Sequence, residues 1–512
     1  MRAVTLSSRT LFTAHRNVER PLPLQLGTCL VVRDFLSPAE CAELIARAEQ
    51  RGFQSAGSDY PPSYRNNARQ VDDDPEFART LFSRLRNLVP ETIQDRDSTG
   101  ANTTWRLQAL NERIRWCRYG PGQRFNIHQD GVHHRGANCF SRLTFMIYLD
   151  GSEAFEGGDT LFYASGPQAD GEFGAPPVVA RVQPRVGSLI VFDHRVWHAG
   201  DTVTRGVKHI LRSDLLYSCA MKPDVAMREP FTPSHEGYVW TLSKLADGRI
   251  ASAGRDACIR LWSNTGKPLG VLAGHRQSVL GLSEVAPNLL ASVSRDRSIR
   301  LWDAKTMTCV REIDRRASTL LAIANVGADL FATGSADSTI EVHSLAGASL
   351  RTLVGHTGWV WALACLGSGT LASASEDGDV RLWDIAQGAS VDILPGPLPL
   401  RTIDVRADSR ESSERLLATG DIAGFVRIWS VGPQTPKLVA RFQAHKAAVR
   451  RVRFLSGDRL ASCGEDQRLC TWHLGDFRLQ AAHTRPNFVT DIVELQSGHL
   501  LCSGYEGGIA VI

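Results

Sequence analysis

From His235 onward, apolar and polar positions alternate in short runs, and the runs recur in units of about forty residues. The units open on HEGYVWTL, HRQSVLGL, RRASTLLAI, HTGWVWAL, PLPLRTIDV, HKAAVRRV and HTRPNFVTDIV. Each continues with a strand of small residues: RIASAGRD, LLASVSRD, LFATGSAD, TLASASED, LLATGDIA, RLASCGED and LLCSGYEG. A third run closes most units, ending at Trp262, Trp302, Trp383, Trp429 and Trp472. A period of two with turns between the runs predicts short antiparallel strands. Seven such units predict a closed ring of sheets, because closure removes edges that would otherwise pair with other chains. The seventh unit shows three such runs, and VAMREPFTP, residues 225 to 233, is expected to supply its outer strand.

Residues 26 to 220 carry a different pattern. LVVRDFLSPAECAELIARAEQRG predicts a strand followed by a helix, with Ser37 as N-cap and Pro38 at the first helical position. Glu40, three residues after Ser37, completes a capping box. DPEFARTLFSRLRNLVP predicts a second helix, and strand-like runs follow: NERIRWCRYG, SRLTFMIYLD, GDTLFYA, GSLIVFD and KHILRSDLLYS. Helices ahead of many short strands predict a jelly roll (a double-stranded β-helix) with supporting helices on one side. The expected organisation is therefore mainly β: a tail over 1–25, a first domain over 26–220, a linker over 221–234 that can also close the ring, and the repeats over 235–512.

Composition narrows the function classes. The chain has 512 residues, 43% hydrophobic and 22% charged, as a globular protein does, and its length argues for several domains. Its net charge of +4 is too small to point to nucleic acid or an anionic membrane. The eleven cysteines are scattered without a CxxC pair, which favours reduced thiols and a cytoplasmic location. No run of apolar residues is long enough for a membrane span. The first residues carry Arg2, Arg9 and Arg16 and no acid before Glu19, a pattern shared by transit peptides and by plain terminal tails.

The candidate chemistry lies in RYGPGQRFNIHQDG and VFDHRVWHAGD. His128 and Asp130 are two apart, so on a strand they share a face, and His198 is a candidate third ligand. Two imidazoles and one carboxylate suit the facial triad of non-haem iron(II), which leaves three coordination positions for a 2-oxo acid and dioxygen. A chelated dicarboxylate also needs a cation for its far end. Lys208 lies ten residues beyond His198, and a lysine buried in a barrel is costly until an anion pairs with it. His194 competes with His198 as ligand, but the H-x-G context and the step to Lys208 favour His198. Arg212 is an alternative anchor if it is not simply paired with Asp214 or another carboxylate. His133 and His134 fall in a loop, and Gly157 and Gly158 mark a tight turn. YPPSYRNNARQVDDD, with Tyr64, Arg65, Asn66, Asn67 and Arg69, reads equally as a substrate-facing lid or a surface loop.

RYGPGQRFNIHQD, SRLTFMIYLD, GGDTLF and HAGDTVTRGVKHILRSDLLY together resemble the prolyl 4-hydroxylase-like branch of the iron(II)/2-oxoglutarate dioxygenases, over residues 110 to 217. The resemblance implies that His128, Asp130 and His198 bind Fe(2+), and that Lys208 holds the distal carboxylate of 2-oxoglutarate. It also places Tyr119 on that carboxylate and Thr144 at another co-substrate contact. O2 is the second co-substrate, ascorbate is an accessory reductant of the family, and no catalytic side chain is needed beyond the metal centre.

Residues 235 to 512 resemble WD40 repeats. The family's Gly-His pair stands at Gly274-His275 and Gly355-His356, with looser forms at Ala444-His445 and Ala482-His483. Its turn aspartate stands at Asp256, Asp296, Asp337, Asp377 and Asp466. In that family His, Asp, a strand Ser or Thr and Trp form a buried hydrogen-bond chain. The third unit has Val342-His343 in place of Trp, and the fifth has Ala423 in place of Asp, so these two are expected to be loosest. The combined resemblance implies a dioxygenase that hydroxylates a protein or peptide residue, proline first, with the propeller recruiting substrate or a protein partner. Its rivals are oxidation of a small molecule or nucleobase, and a WD40 scaffold with an inert oxygenase domain.

Overall fold

The computed structural model of the protein describes residues 18–512 apart from 24–25, 59, 63, 97–101, 134, 136–138, 167–175, 220–230, 314–316, 328, 368, 407–413 and 486. The tail before residue 18, His134, and residues 225–230 of the expected closing strand lie outside the described residues. The chain divides into two compact units, Met1–Pro167 with Phe173–Pro223, and Gln168–Glu172 with Asp224–Ile512. No helix among the described residues is long and apolar enough to cross a membrane.

In the first unit a large antiparallel sheet places Cys29–Val32, Leu189–Asp193, Cys139–Tyr148, Lys208–Ser218, Arg113–Tyr119 and Ala68–Asp73 side by side. A smaller sheet orders Val178–Val182, Thr160–Tyr163, Trp197–Gly200 and Phe125–His128. Strand alternation decides what lies on each side of the large sheet. On one side Ile114, Trp116, Phe145, Ile147, Leu211 and Leu215 pack against Leu44, Ala48, Phe77 and Leu81 of the two helices. On the other, Tyr119, Met146, Tyr148, Phe192 and Ile210 meet Phe125, Phe162 and Val182 of the small sheet. The helices thus support the large sheet from one side, and the space between the two sheets is left for chemistry.

Both helices begin where their sequences direct. Helix Pro38–Arg51 carries the full capping box: the Ser37 hydroxyl accepts from Glu40 N at 3.3 Å, and the Glu40 carboxylate accepts from Ser37 N at 2.9 Å. Helix Pro75–Leu85 is capped by Asp74, whose carboxylate accepts from Phe77 N at 3.0 Å.

The second unit holds six four-stranded antiparallel sheets, and a seventh with three strands among the described residues. The first sheet comprises Val239–Lys244, Ile250–Gly254, Ile259–Trp262 and Pro268–Leu272. The first strands of the first and seventh sheets are joined directly: Leu242 N donates to Asp491 Oδ2 at 2.9 Å and Thr490 Oγ1 to Val239 O at 2.5 Å. Phe231 is buried among Val239, Trp262, Leu501 and Ile509, residues of those same two sheets.

The hydrogen-bond chain expected of the repeats is complete in four sheets. In the second, the Ser292 hydroxyl receives Trp302 Nε1 at 2.8 Å and lies 2.7 Å from His275 Nε2, while His275 Nδ1 lies 3.0 Å from Asp296. The same arrangement joins His235, Ser252, Trp262 and Asp256; His356, Ser373, Trp383 and Asp377; and His445, Ser462, Trp472 and Asp466.

Three sheets depart from it. His343 stacks on Phe331 and meets Thr333 Oγ1 at 3.1 Å, so an imidazole replaces the third sheet's tryptophan. In the fifth, Asp421 accepts from Ala423 N, Phe425 N and Arg427 Nη1, the last at 2.7 Å. Both sheets therefore keep polar partners in place of the expected ones. His483, expected to serve the seventh unit, is instead exposed on the Leu479–Thr484 strand of the sixth sheet. Buried Arg485 takes its place and pairs with Glu506 at 2.8 Å, because an Arg–Glu pair spans the turn as a His–Asp pair does.

Candidate active site

Strands Phe125–His128 and Trp197–Gly200 pair antiparallel with His198 directly opposite His128. Residues opposite one another project to the same side of a sheet, so the two imidazoles stand together, with ring centroids 4.2 Å apart. Asp130 follows two residues beyond the strand, held by its own N–H donating to His194 O at 3.0 Å. The candidate ligand atoms of His128, Asp130 and His198 all lie within 4.8 Å of one another, and all three residues are buried.

The rings are oriented by backbone carbonyls. His128 Nδ1 lies 2.7 Å from Asn126 O, and His198 Nδ1 lies 2.9 Å from Val196 O. A carbonyl can only accept, so both Nδ1 atoms carry the proton and both Nε2 lone pairs face the acid. Burial lowers the pKa of both imidazoles, His198 to about 3, so they are neutral, as ligands must be. His128 Nε2 is buried with no hydrogen-bond partner, an acceptor left for something outside the chain. Burial opposes ionisation of Asp130, but the Arg212 guanidinium paired with it outweighs burial and holds the carboxyl well below its ordinary value. Two neutral imidazoles and one ionised carboxylate around one point fit a divalent transition metal.

A cavity opens beside this cluster, with Arg65, Tyr119, Phe125, Thr160 and Lys208 in its wall. Lys208 stands directly opposite Tyr119 in the large sheet, and its ammonium donates to Gly158 O. Gly158 O is available because the Gly157-Gly158 turn runs with positive φ at both residues. A Cβ on Gly157 would lie 2.3 Å from Thr202 O. Burial pushes the Lys208 ammonium down to about 8, and among the described residues no carboxylate is within ion-pair distance of it. Tyr119 is likewise buried, its phenol pushed up to about 12 and therefore a neutral donor.

The other expected residues divide. Arg212 lines the cavity but is paired with Asp130, the second of the two roles open to it. Thr144, expected at the co-substrate, donates its hydroxyl to Asp130 Oδ2. His194 stays out of the cluster: buried, 3.7 Å from Asp214, and without a hydrogen bond on either ring nitrogen. His133 N donates to Ser141 Oγ, away from the ligand set. The strap around Tyr64 and Arg65 does reach the site. Tyr64 meets His128 edge-on at 5.8 Å, while Asn126 N donates to Tyr64 O and Arg124 N to Asn66 Oδ1. Phe125, stacked on His128 at 3.6 Å, is a wall residue that sequence reading passed over, although its place three residues before His128 could have suggested it.

Comparison with known proteins agrees with this division. Residues 114–213 match the family described as the 2OG-Fe(II) oxygenase superfamily. Residues 229–263, 266–303, 347–384 and 436–473 match the WD domain, G-beta repeat. The chain therefore carries a 2OG-Fe(II) oxygenase domain and WD40 repeats together. Among curated proteins it is similar to nuclear distribution protein nudF of Aspergillus flavus, 48% identical over 62 residues, 12% of this chain and 14% of that one. Nuclear distribution protein PAC1-2 of Uncinocarpus reesii is 46% identical over 66 residues, 13% of this chain and 14% of that one. Nuclear distribution protein nudF of Aspergillus niger is 30% identical over 130 residues, 21% of this chain and 29% of that one. The match thus spans less than a third of each of these relatives.

Proposed function

We propose that the protein is an Fe(II)- and 2-oxoglutarate-dependent dioxygenase that hydroxylates a residue of a protein or peptide, with proline the first candidate. In this reading the first unit is a jelly roll whose His128, Asp130 and His198 hold the iron. The second is a seven-bladed propeller that recruits the substrate, a role favoured by the habit of such rings to bind partners rather than catalyse. The observation that carries the reading is the pairing of a neutral-His, ionised-Asp cluster with Lys208, a buried ammonium across the same cavity with no carboxylate partner among the described residues.

When bound, iron(II) supplies the activation of dioxygen that couples decarboxylation of 2-oxoglutarate to insertion of one oxygen atom into a substrate C–H bond. The side chains hold and orient. Asn126 O and Val196 O aim the two imidazoles, and Arg212 and Thr144 keep Asp130 ionised and turned toward them. Lys208 and the Tyr119 phenol receive the distal carboxylate, which fixes the co-substrate's depth in the cavity. Phe125, Phe162 and Phe192 keep water from the imidazoles. No side chain is asked to act as a general base, and ascorbate would serve only to keep the iron reduced.

The test uses the full-length chain loaded with iron(II) under ascorbate. Succinate should form slowly from 2-oxoglutarate without added substrate, and His128→Ala should abolish it. Candidate proteins incubated with the enzyme should gain about 16 Da, one oxygen atom, on a single residue. A wild-type protein that binds iron yet never consumes 2-oxoglutarate would leave a WD40 scaffold with an inert domain. A gain confined to free amino acids or nucleobases would remove the protein-substrate assignment.

A further inference from the structure

One cation in the cavity wall is left over by the account above. Arg65 is only 6% exposed and lines the cavity together with Tyr119, Phe125 and Lys208. Its contacts are to uncharged groups: Nε donates to Asn67 Oδ1 at 2.9 Å and Nη2 approaches Cys117 Sγ at 3.7 Å, while the guanidinium and the Tyr119 phenol share the cavity wall. Its flat face lies over the Phe125 ring at 4.2 Å and near Tyr60 at 5.3 Å. Among the described residues no carboxylate lies within ion-pair distance of it.

Every other buried cation at the site differs in this respect or shares it for a reason. Arg212 is paired with Asp130, and Arg115 with Asp214. Lys208 alone also lacks an acid, and it is the cation already given to the co-substrate. A buried guanidinium without a counter-charge is costly, and its planar fork suits a carboxylate in two-point contact. The segment that carries it is held in place. Asn66 accepts from Arg124 N at 2.8 Å and donates to Gly122 O at 3.2 Å, which stitches the strap to the strand ending at His128. Arg65 is therefore positioned before any ligand arrives.

We propose that Arg65 is a second carboxylate-binding residue of the cavity, acting together with Lys208 beside Tyr119. The proposal rests on the reading of the site as a 2-oxoglutarate pocket. Two carboxylates could meet it: the distal one of the co-substrate, favoured because Arg65 and Lys208 both adjoin Tyr119, or an acidic group of the primary substrate.

The experiment measures binding to the full-length chain loaded with Mn(II), which holds ligand without turnover. Calorimetric titration with 2-oxoglutarate should show a loss of about tenfold or more in affinity for Arg65→Gln, with partial recovery in Arg65→Lys. Without ligand, Arg65→Gln should melt at or above the wild-type temperature, because it removes an uncompensated charge. An arginine with a purely structural role would lower it. In a second arm, acetate is titrated into the chain saturated with 2-oxoglutarate. Unchanged 2-oxoglutarate binding with loss of acetate binding in Arg65→Gln would assign the residue to the substrate's carboxylate. If both ligands bind the variant as they bind wild type, Arg65 recognises no carboxylate and the proposal is overturned. If wild type itself does not bind 2-oxoglutarate while holding Mn(II), the underlying reading of the pocket fails instead.

Discussion

Replacing Lys208 with methionine should make the empty protein more stable and the ligand-binding protein useless. The ammonium is buried at 4% exposure, and its pKa falls from an ordinary 10.5 to about 8. Keeping it charged at neutral pH therefore costs the folded chain about 3 kcal/mol. Methionine keeps most of the aliphatic stem and removes the charge, but it leaves Gly158 O without its donor, a loss of about 1 kcal/mol. The net expectation is a gain of about 2 kcal/mol for Lys208→Met near neutral pH, in the pattern of active-site residues that trade stability for function.

The assay is urea unfolding of the full-length chain, with a chelator for the empty protein and with Mn(II) in its place for the ligand-bound one. The transition of the first unit is identified as the one that Mn(II) with 2-oxoglutarate moves. The sign of the pH dependence is fixed by the lowered pKa. Below pH 8 both folded and unfolded wild type are charged and the folded state bears the full cost. Between about 8 and 10.5 the folded lysine gives up its proton while the unfolded one keeps it, so wild type gains stability as pH rises. The advantage of Lys208→Met should shrink across that interval and give way to a deficit of about 1 kcal/mol above it, where the neutral amine of wild type still donates to Gly158 O. In wild type, 2-oxoglutarate should raise the midpoint at pH 7 and lose its effect above about pH 8, as the cation is lost. In the variant its effect should be much smaller and should not fall across this interval. A variant less stable than wild type at pH 7, or a stability gap that ignores pH, would show that Lys208 is not a buried charge awaiting an anion.

Two further outcomes follow from the geometry. His209 is held between Asp150 Oδ2 at 2.7 Å and Glu49 Oε1 at 2.9 Å; burial opposes its charge, but the two acids outweigh burial and raise its pKa. Its contribution is full below the ordinary histidine value and fades as pH rises through the raised one, so the melting-temperature deficit of His209→Gln should be larger near about pH 5.5 than near about pH 9. Ser292 bridges two buried groups, accepting from Trp302 Nε1 and donating to His275 Nε2, so Ser292→Ala should cost about 2–4 kcal/mol in urea unfolding. Thr333→Val should cost less, because the Thr333 hydroxyl has a single ring partner, His343.

What could be read from the chain was whatever repeats or alternates locally. The capping box at Ser37 and the strand alternation depend only on near neighbours, and both appear in the structure as sequence reasoning has them; His128 and Asp130 do come together, but with Asp130 two residues past the end of the strand rather than on it. The four complete His–Ser–Trp–Asp chains were legible for the same reason, since each closes within one sheet. The seventh unit shows how that reasoning slips. Four units separate His and Asp by 21 residues, and Arg485 and Glu506 stand at the same separation. Attention to residue type chose His483; attention to spacing would have chosen Arg485.

The cavity wall was less legible because it depends on register and on burial. That His198 faces His128 follows from a cross-strand pairing between segments seventy residues apart. Whether Arg65 belonged to a lid or to plain surface could not be decided from a polar stretch of ordinary composition; only its enclosure beside Tyr119 makes it a candidate. The decisive property is a charge whose partner is missing, and a sequence shows charges but not which of them are alone. Arg212, four residues beyond Lys208, illustrates this from the other side. On the strand it shares the face of Lys208, as the spacing says, yet it is already paired with Asp130 and so is not free to hold a ligand. The cations proposed for recognition are those that folding buries without an acid partner among the described residues, and in this cavity those are Lys208 and Arg65.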